Sequence, residues 1–269
     1  HPERAAGRRV GMVEQEVALE VRGKTVQLWQ GGDGPPLLYL HGAGLYIWMP
    51  VHNWLAGRRR VFLPVHPGFG ESGGFDEIED IEDLVFHTVD VMDELGLEQA
   101  DVVGLSLGGW LAAELALRHP QRVKRLVLVD AAGTRVAGVP RGNIFMATPA
   151  KARALLFHDP ASRLATTLVP DAVPPERMET VLRGREAAAR LLWHPHVAQR
   201  KLTSRLGRIT APTLVVWGSD DKLLPLAYGE AYANGIPGAR LVVIEKSGHL
   251  PPFEHPERFA DVVLSFLEA

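Results

Sequence analysis

The chain has 269 residues, of which 46% are hydrophobic and 23% charged, with a formal net charge of −3 and no cysteine. That balance belongs to a folded globular protein with a large core, and the charge gives no electrostatic reason to expect nucleic acid or an anionic membrane as partner. Without cysteine, disulfides, thiolate catalysis and Cys-ligated metals are excluded.

The first sixteen residues (HPERAAGRRVGMVEQE) hold no apolar stretch of signal-peptide length. No run approaches the roughly 18–20 apolar residues that span a bilayer, so a soluble, cytoplasmic protein is expected. Residues 15–21 (QEVALEV) and 24–30 (KTVQLWQ) are β-prone segments joined across Arg22-Gly23, which predicts a hairpin. Six near-continuous apolar runs follow: LLYL (37–40), VFLPV (61–65), DVVGL (101–105), RLVLVD (125–130), TLVVWG (213–218) and RLVVIE (240–245). Strands buried on both faces read this way, as in a parallel sheet covered by helices.

Amphipathic stretches separate them. Residues 78–95 place Ile78, Ile81, Leu84, Val85, Val89, Met92 and Leu95 at helical spacing. Residues 107–118 and 256–268 predict two more helices, the last with His255 near its cap and Pro256 in its first turn. Alternating strand and helix imply an α/β fold with a doubly wound, mostly parallel eight-stranded sheet. Residues 134–206 break the rhythm: rich in Ala, Leu and Arg and interrupted by seven prolines, they predict several short helices inserted after the sixth strand as a lid. The expected division is a core of 1–133 and 207–269 with a helical cap over 134–206.

Chemistry concentrates at three places. DVVGLSLGGW (101–110) sets Gly104, Ser106 and Gly108 as G-x-S-x-G directly between a buried strand and a helix, the context that a nucleophile on a tight turn requires. LLYLHGAG (37–44) ends a buried strand in His-Gly-x-Gly. Acyl transfer needs two preorganised N–H donors for the oxyanion, and Leu107 and Ala43 are the candidates, with Gly42 the alternate to Ala43. His41 is expected to brace that loop rather than to act as a base. TLVVWGSDDKLLP places Asp220 and Asp221 after one strand, and VVIEKSGHLPPFEHP places His249 after the next. Imidazole can take the serine proton, and a buried carboxylate can fix its tautomer. The order Ser106, Asp221, His249 is that of one triad family and not of the chymotrypsin or subtilisin types.

HGAG (41–44), HPGFGES (66–72), GLSLGG (104–109), PTLVVWGSDD (212–221) and SGHLPPFEHPERF (247–259) together resemble the α/β-hydrolase fold superfamily over nearly the whole chain. The resemblance implies that the acid is Asp221, three residues after Gly218, and that 134–206 is the helical cap. It also shows departures. Val65 stands where the family often has an acid, and serine at 106 argues against the dehalogenase and epoxide-hydrolase branches, which use aspartate there.

Asp130, closing the LVLVD strand, occupies another position from which the superfamily draws its acid; structurally it is expected to cap the following turn. His194 and His196 flank a proline without further ligand spacing, so no metal is expected, and no cofactor. The arginines of 134–206 are expected mainly on a solvated helix face. Arg185 is the exception, since the family's carbon–carbon bond hydrolases carry a cap arginine at that place near their dienoate substrate. Those enzymes typically have a longer Gly-rich loop and a tryptophan where Leu250 follows His249. Trp48, Trp110, Trp193 and Leu250 are candidate substrate-pocket residues. The primary expectation is therefore a carboxylic-ester hydrolase for small or medium apolar acyl groups, with a small-molecule ester as partner. C–C bond hydrolysis by the same triad and a slow-turnover ligand receptor remain as alternatives.

Overall fold

The computed structural model describes residues 14–193 and 200–269. Strands β1 (Gln15–Val21) and β2 (Lys24–Gly31) pair as the expected hairpin. Its two-residue turn has Arg22 at φ 47° and Gly23 at φ 76°, the double positive φ that matches the twist of two antiparallel strands. Then come β3 (Pro36–Leu40), β4 (Arg60–Pro64), β5 (Ala100–Leu105), β6 (Val123–Val129), β7 (Thr213–Gly218) and β8 (Arg240–Ile244). They form one sheet in the order β1-β2-β4-β3-β5-β6-β7-β8. β2 meets β1 and β4 antiparallel, and every other pair is parallel.

The apolar runs are continuous because both faces of the sheet are covered. In β5, Val102 packs into one core and its neighbour Val103 into the other, as the two-residue strand period requires. Helices α1 (Pro50–Ala56) and α10 (Pro256–Leu267) close the second face. Helices α2 (Ile81–Glu94), α3 (Leu107–Arg118) and α8 (Ala227–Gly235) cover the first. Helix α2 starts three residues later than the periodicity of 78–95 suggests. Asp80 caps it by accepting from the N–H groups of Glu82 (2.7 Å) and Asp83 (3.2 Å), which leaves Ile78 buried in the preceding turn.

The chain leaves β3 toward β4 on one side and leaves β5 toward β6 on the other. The order of connections therefore reverses between β3 and β5, at the middle of the sheet, and such a switch point is where α/β sheets place their ligands, beyond the strand ends. The HGAG loop follows β3 and Ser106 follows β5, so both lie at this switch point.

Between β6 and β7 run α4 (Pro149–Leu156), α5 (Arg163–Leu168), α6 (Met178–Leu192) and α7 (Arg200–Arg205). Short helices are the expectation, but α6 is fifteen residues long, because no proline interrupts 178–192 and its Ala187, Ala188, Leu191 and Leu192 share a buried face. Not all arginines here are on a solvated face. Arg183 donates to the carbonyl of Gly70, and Arg190 donates to those of Phe75 (3.0 Å) and Ile78 (3.4 Å) while its guanidinium lies 3.9 Å from the Phe75 ring centroid. These contacts tie α6 to the loop after β4. Among the described residues no helix is long and apolar enough to cross a membrane.

Candidate active site

Ser106 sits between the last residue of β5 and the first of α3, at φ 54° and ψ −112°. A residue with a side chain rarely holds such a backbone, and it persists here because its surroundings over-determine it. The Ser106 N–H donates to Val129 O (2.9 Å), and its carbonyl accepts from Gly109, Trp110 and Ala132. The motif glycines are sterically forced. A Cβ on Gly104 would lie 2.2 Å from Gly108 O, and one on Gly108 would lie 2.0 Å from Leu40 O.

The serine hydroxyl donates to His249 Nε2 at 2.9 Å, and His249 Nδ1 donates to Asp221 Oδ2 at 2.7 Å. Both ring nitrogens are thereby committed, which selects the tautomer able to accept the serine proton. His249 and Asp221 are buried, and Ser106 is half-buried. Asp221 Oδ1 accepts from the backbone N–H groups of Leu223 and Leu224, both at 2.8 Å, so the carboxylate is satisfied by three donors in all.

The loop after β3 packs against Ser106. Gly42 lies so close that a Cβ on it would be 3.2 Å from Ser106 Cβ. His41 braces it: Nε2 accepts from the His66 N–H (2.9 Å), Nδ1 donates to Gly42 O (2.6 Å), and the two imidazoles stack 3.9 Å apart. The next turn is closed by Gly44 N–H to Gly42 O (2.8 Å) and carries Ala43 exposed toward its outside. Leu107 opens α3, so its N–H belongs to the first-turn donors that have no acceptor within the helix. Leu107 thus follows Ser106 directly in the chain, and Ala43 follows Gly42, the residue that packs against it.

Burial keeps His41, His66 and His52, a residue of α1, neutral. It lowers His41 to about 4 and His52 to about 3, and holds His66 well below its ordinary value. In the unfolded chain they protonate near pH 6.5, so below that pH the unfolded state binds more protons than the folded one. Stability is therefore full above pH 6.5 and falls as pH drops from 6.5 toward 4. Each such group contributes a slope of up to roughly 1.4 kcal/mol per pH unit. Urea unfolding at pH 7.5, 6 and 5 measures this, and a midpoint that does not move between 7.5 and 5 contradicts it.

The segment carrying His249 is held from the inserted helices. Its N–H donates to Leu156 O at 2.8 Å. Glu254, on the short helix α9 (Pro251–Glu254), accepts from Gly248 N–H (2.6 Å), the Ser247 hydroxyl (3.1 Å) and His158 N–H (2.8 Å). Sequence reasoning alone misses Glu254. Its one signal is an acid five residues beyond the base within SGHLPPFEHP. Asp220 does not join Ser106, His249 and Asp221: its Oδ2 meets His158 Nδ1 (2.8 Å) and the Ser219 hydroxyl (3.0 Å) near the surface.

Asp130 does not cap its own turn. Its Oδ1 reaches across to the next strand and accepts from Gly218 N–H at 3.0 Å, because φ 40° turns the residue toward β7. The pocket candidates are dispersed. Trp110 is buried within α3 with its indole N–H 3.4 Å from Glu114, and Trp48 is half-buried and donates to Asn53 Oδ1 at 2.7 Å. Trp193 ends α6 partly exposed, edge-on to Phe145 at 5.6 Å. Leu250 is buried beside His249, and Arg185 is exposed on α6. His194 and His196 lie outside the described residues.

The sequence profile of the alpha/beta hydrolase fold matches residues 35–256, and the chain belongs to that family. It is 34% identical to a 2-hydroxymuconate semialdehyde hydrolase from Pseudomonas putida, with 94% of each chain covered. It is 31% identical, over 88% of each, to a 2-hydroxy-6-oxononadienedioate/2-hydroxy-6-oxononatrienedioate hydrolase from Cupriavidus pinatubonensis. Among solved structures, the meta-cleavage product hydrolase from Pseudomonas fluorescens IP01, in a variant with acetates, superposes with a TM-score of 0.75 at 25% identity, over 94% of this chain and 97% of that one. The chain is a hydrolase of the α/β-hydrolase fold.

Proposed function

We propose that this hydrolase cleaves a carbon–carbon bond in a 2-hydroxy-6-oxo-dienoate, the meta-cleavage type of substrate, and not primarily a carboxylic ester. The observation that carries the reading is the near full-length identity to hydrolases named for such substrates. It displaces the ester expectation, which rests on Leu250 and on the short HGAG loop.

The site's chemistry suits the reaction. Once the dienol has shifted its 2-hydroxyl proton to C5, cleavage of C5–C6 expels a dienolate whose charge is delocalised onto O2. Ser106 Oγ adds to the C6 carbonyl as His249 takes its proton, and the N–H groups of Leu107 and Ala43 hold the oxyanion. Collapse breaks C5–C6, and the dienolate takes the proton back from His249, leaving an acyl group on Ser106. Water then gives a proton to His249 and its oxygen to the acyl carbon, which releases the acid and restores the serine. Atoms balance with one water consumed. In this reading residues 134–206 form the cap over the core of 1–133 and 207–269, and Arg185 pairs with the substrate carboxylate.

The test offers the protein a 2-hydroxy-6-oxo-dienoate and a short-chain p-nitrophenyl ester. The dienoate should be turned over with the higher kcat/KM. Arg185→Ala should lower that value roughly ten- to a hundredfold, the worth of a charge-assisted hydrogen bond, while changing the neutral ester only a few-fold. A preference for the ester, with a dienoate rate indifferent to Arg185→Ala, returns the enzyme to the ester reading.

A further inference from the structure

Two carboxyl groups meet behind the base. An oxygen of Asp130, an oxygen of Asp221 and a nitrogen of His249 all lie within 4.8 Å of one another, and all three residues are buried. The two carboxyls are not equivalent. Asp221 receives three N–H donors, from His249, Leu223 and Leu224. Asp130 receives one, from Gly218 to Oδ1, and its Oδ2 is buried with no donor among the described residues. Two like charges this close in a dry site cannot both persist, and the negative charge belongs where the donors are. A proton on Asp130 resolves both problems at once, since it removes the repulsion and gives the orphaned oxygen a partner in Asp221. In the same direction, burial first and then the charge of Asp221 hold the Asp130 carboxyl well above the usual carboxylate range. The other acid whose charge reaches Asp130 is Glu254, which acts in the same direction but is the weakest contributor.

We propose that Asp130 is a positioning residue behind the triad: a neutral carboxylic acid that donates to Asp221, fixing which carboxyl carries the charge that faces His249. It touches no substrate and acts only through Asp221. The consequence is chemical. A donor on Asp221 draws off part of its negative charge, so His249 gives up its proton to the leaving group more readily than it would against a bare carboxylate.

Fluorophosphonate labelling of Ser106 tests this separately from the substrate reading, because the probe needs only the nucleophile and base. Asp130→Leu removes the donor at similar size. The acid limb of its rate–pH profile should move up by roughly 0.5–1 pH unit, so that labelling on that limb falls by up to roughly ten-fold, at unchanged affinity for the probe. Asp130→Asn keeps both contacts, with its carbonyl facing Gly218 and its amide N–H facing Asp221, and should recover the rate to within about three-fold and restore the limb. A folded Asp130→Leu protein with unaltered rate and limb overturns the proposal, as does an Asp130→Asn protein no better than the leucine variant. Should the leucine variant not fold, the infrared difference spectrum of wild type minus Asp130→Asn at pH 7 decides. It should contain the C=O stretch of a protonated carboxylic acid, and carboxylate bands alone overturn the assignment.

Discussion

Ser106→Ala should remove essentially all turnover of any substrate while the protein stays folded. In a serine protease, loss of the nucleophile costs on the order of 10⁶ in kcat, and the residual rate comes from the oxyanion hole and binding. The change is local here. The side-chain hydroxyl has a single hydrogen-bond partner among the described residues, His249, and lies half-buried between β5 and α3 rather than in either core. Alanine has the same Cβ, so the strained backbone at φ 54° is neither relieved nor worsened. The thermal midpoint should therefore stay within a few degrees, and fluorophosphonate labelling should vanish together with turnover. Wild-type hydrolysis by a folded Ser106→Ala protein would place the nucleophile elsewhere.

Much of this site is legible in the amino-acid sequence, for a physical reason. A nucleophile elbow needs small residues where backbones nearly touch, and Gly104 and Gly108 write that constraint into the chain. The parallel sheet is legible because strands buried on both faces leave uninterrupted apolar runs. His41 can be read as a brace from its place at a strand end, and its bonds to His66 and Gly42 do brace the loop. What stays hidden depends on side chains crossing between distant segments. Nothing in LVLVDAAG says that Asp130 reaches β7, since that follows from a single positive φ. Nothing local says that Arg183 and Arg190 bind carbonyls more than a hundred residues away. Substrate class is hidden for a further reason, because the same triad serves ester and carbon–carbon cleavage and fold does not choose between them.

Asp221→Asn is the second large loss expected, and its size follows from how Asp221 is held. Oδ1 faces the two N–H donors of Leu223 and Leu224, so an asparagine must turn its carbonyl to them. Its amide N–H₂ then points at His249 Nδ1, where the carboxylate had accepted a hydrogen bond. Two donors facing each other force the imidazole proton onto Nε2, and that nitrogen can no longer accept from Ser106. The tautomer is wrong and the imidazolium has lost its counter-charge, a combination that lowers kcat by about 10⁴ in the serine protease triad. Asp220→Asn is the control. That carboxylate lies near the surface against His158 and Ser219, so its loss should leave kcat within a few-fold and cost at most about 1 kcal/mol, a figure discounted for its 41% side-chain exposure. The KM of each variant separates the effects, because a tautomer fault lowers kcat with little change in substrate affinity. Equal losses at the two positions would leave the geometry around Asp221 without a catalytic consequence and would move the orienting acid elsewhere.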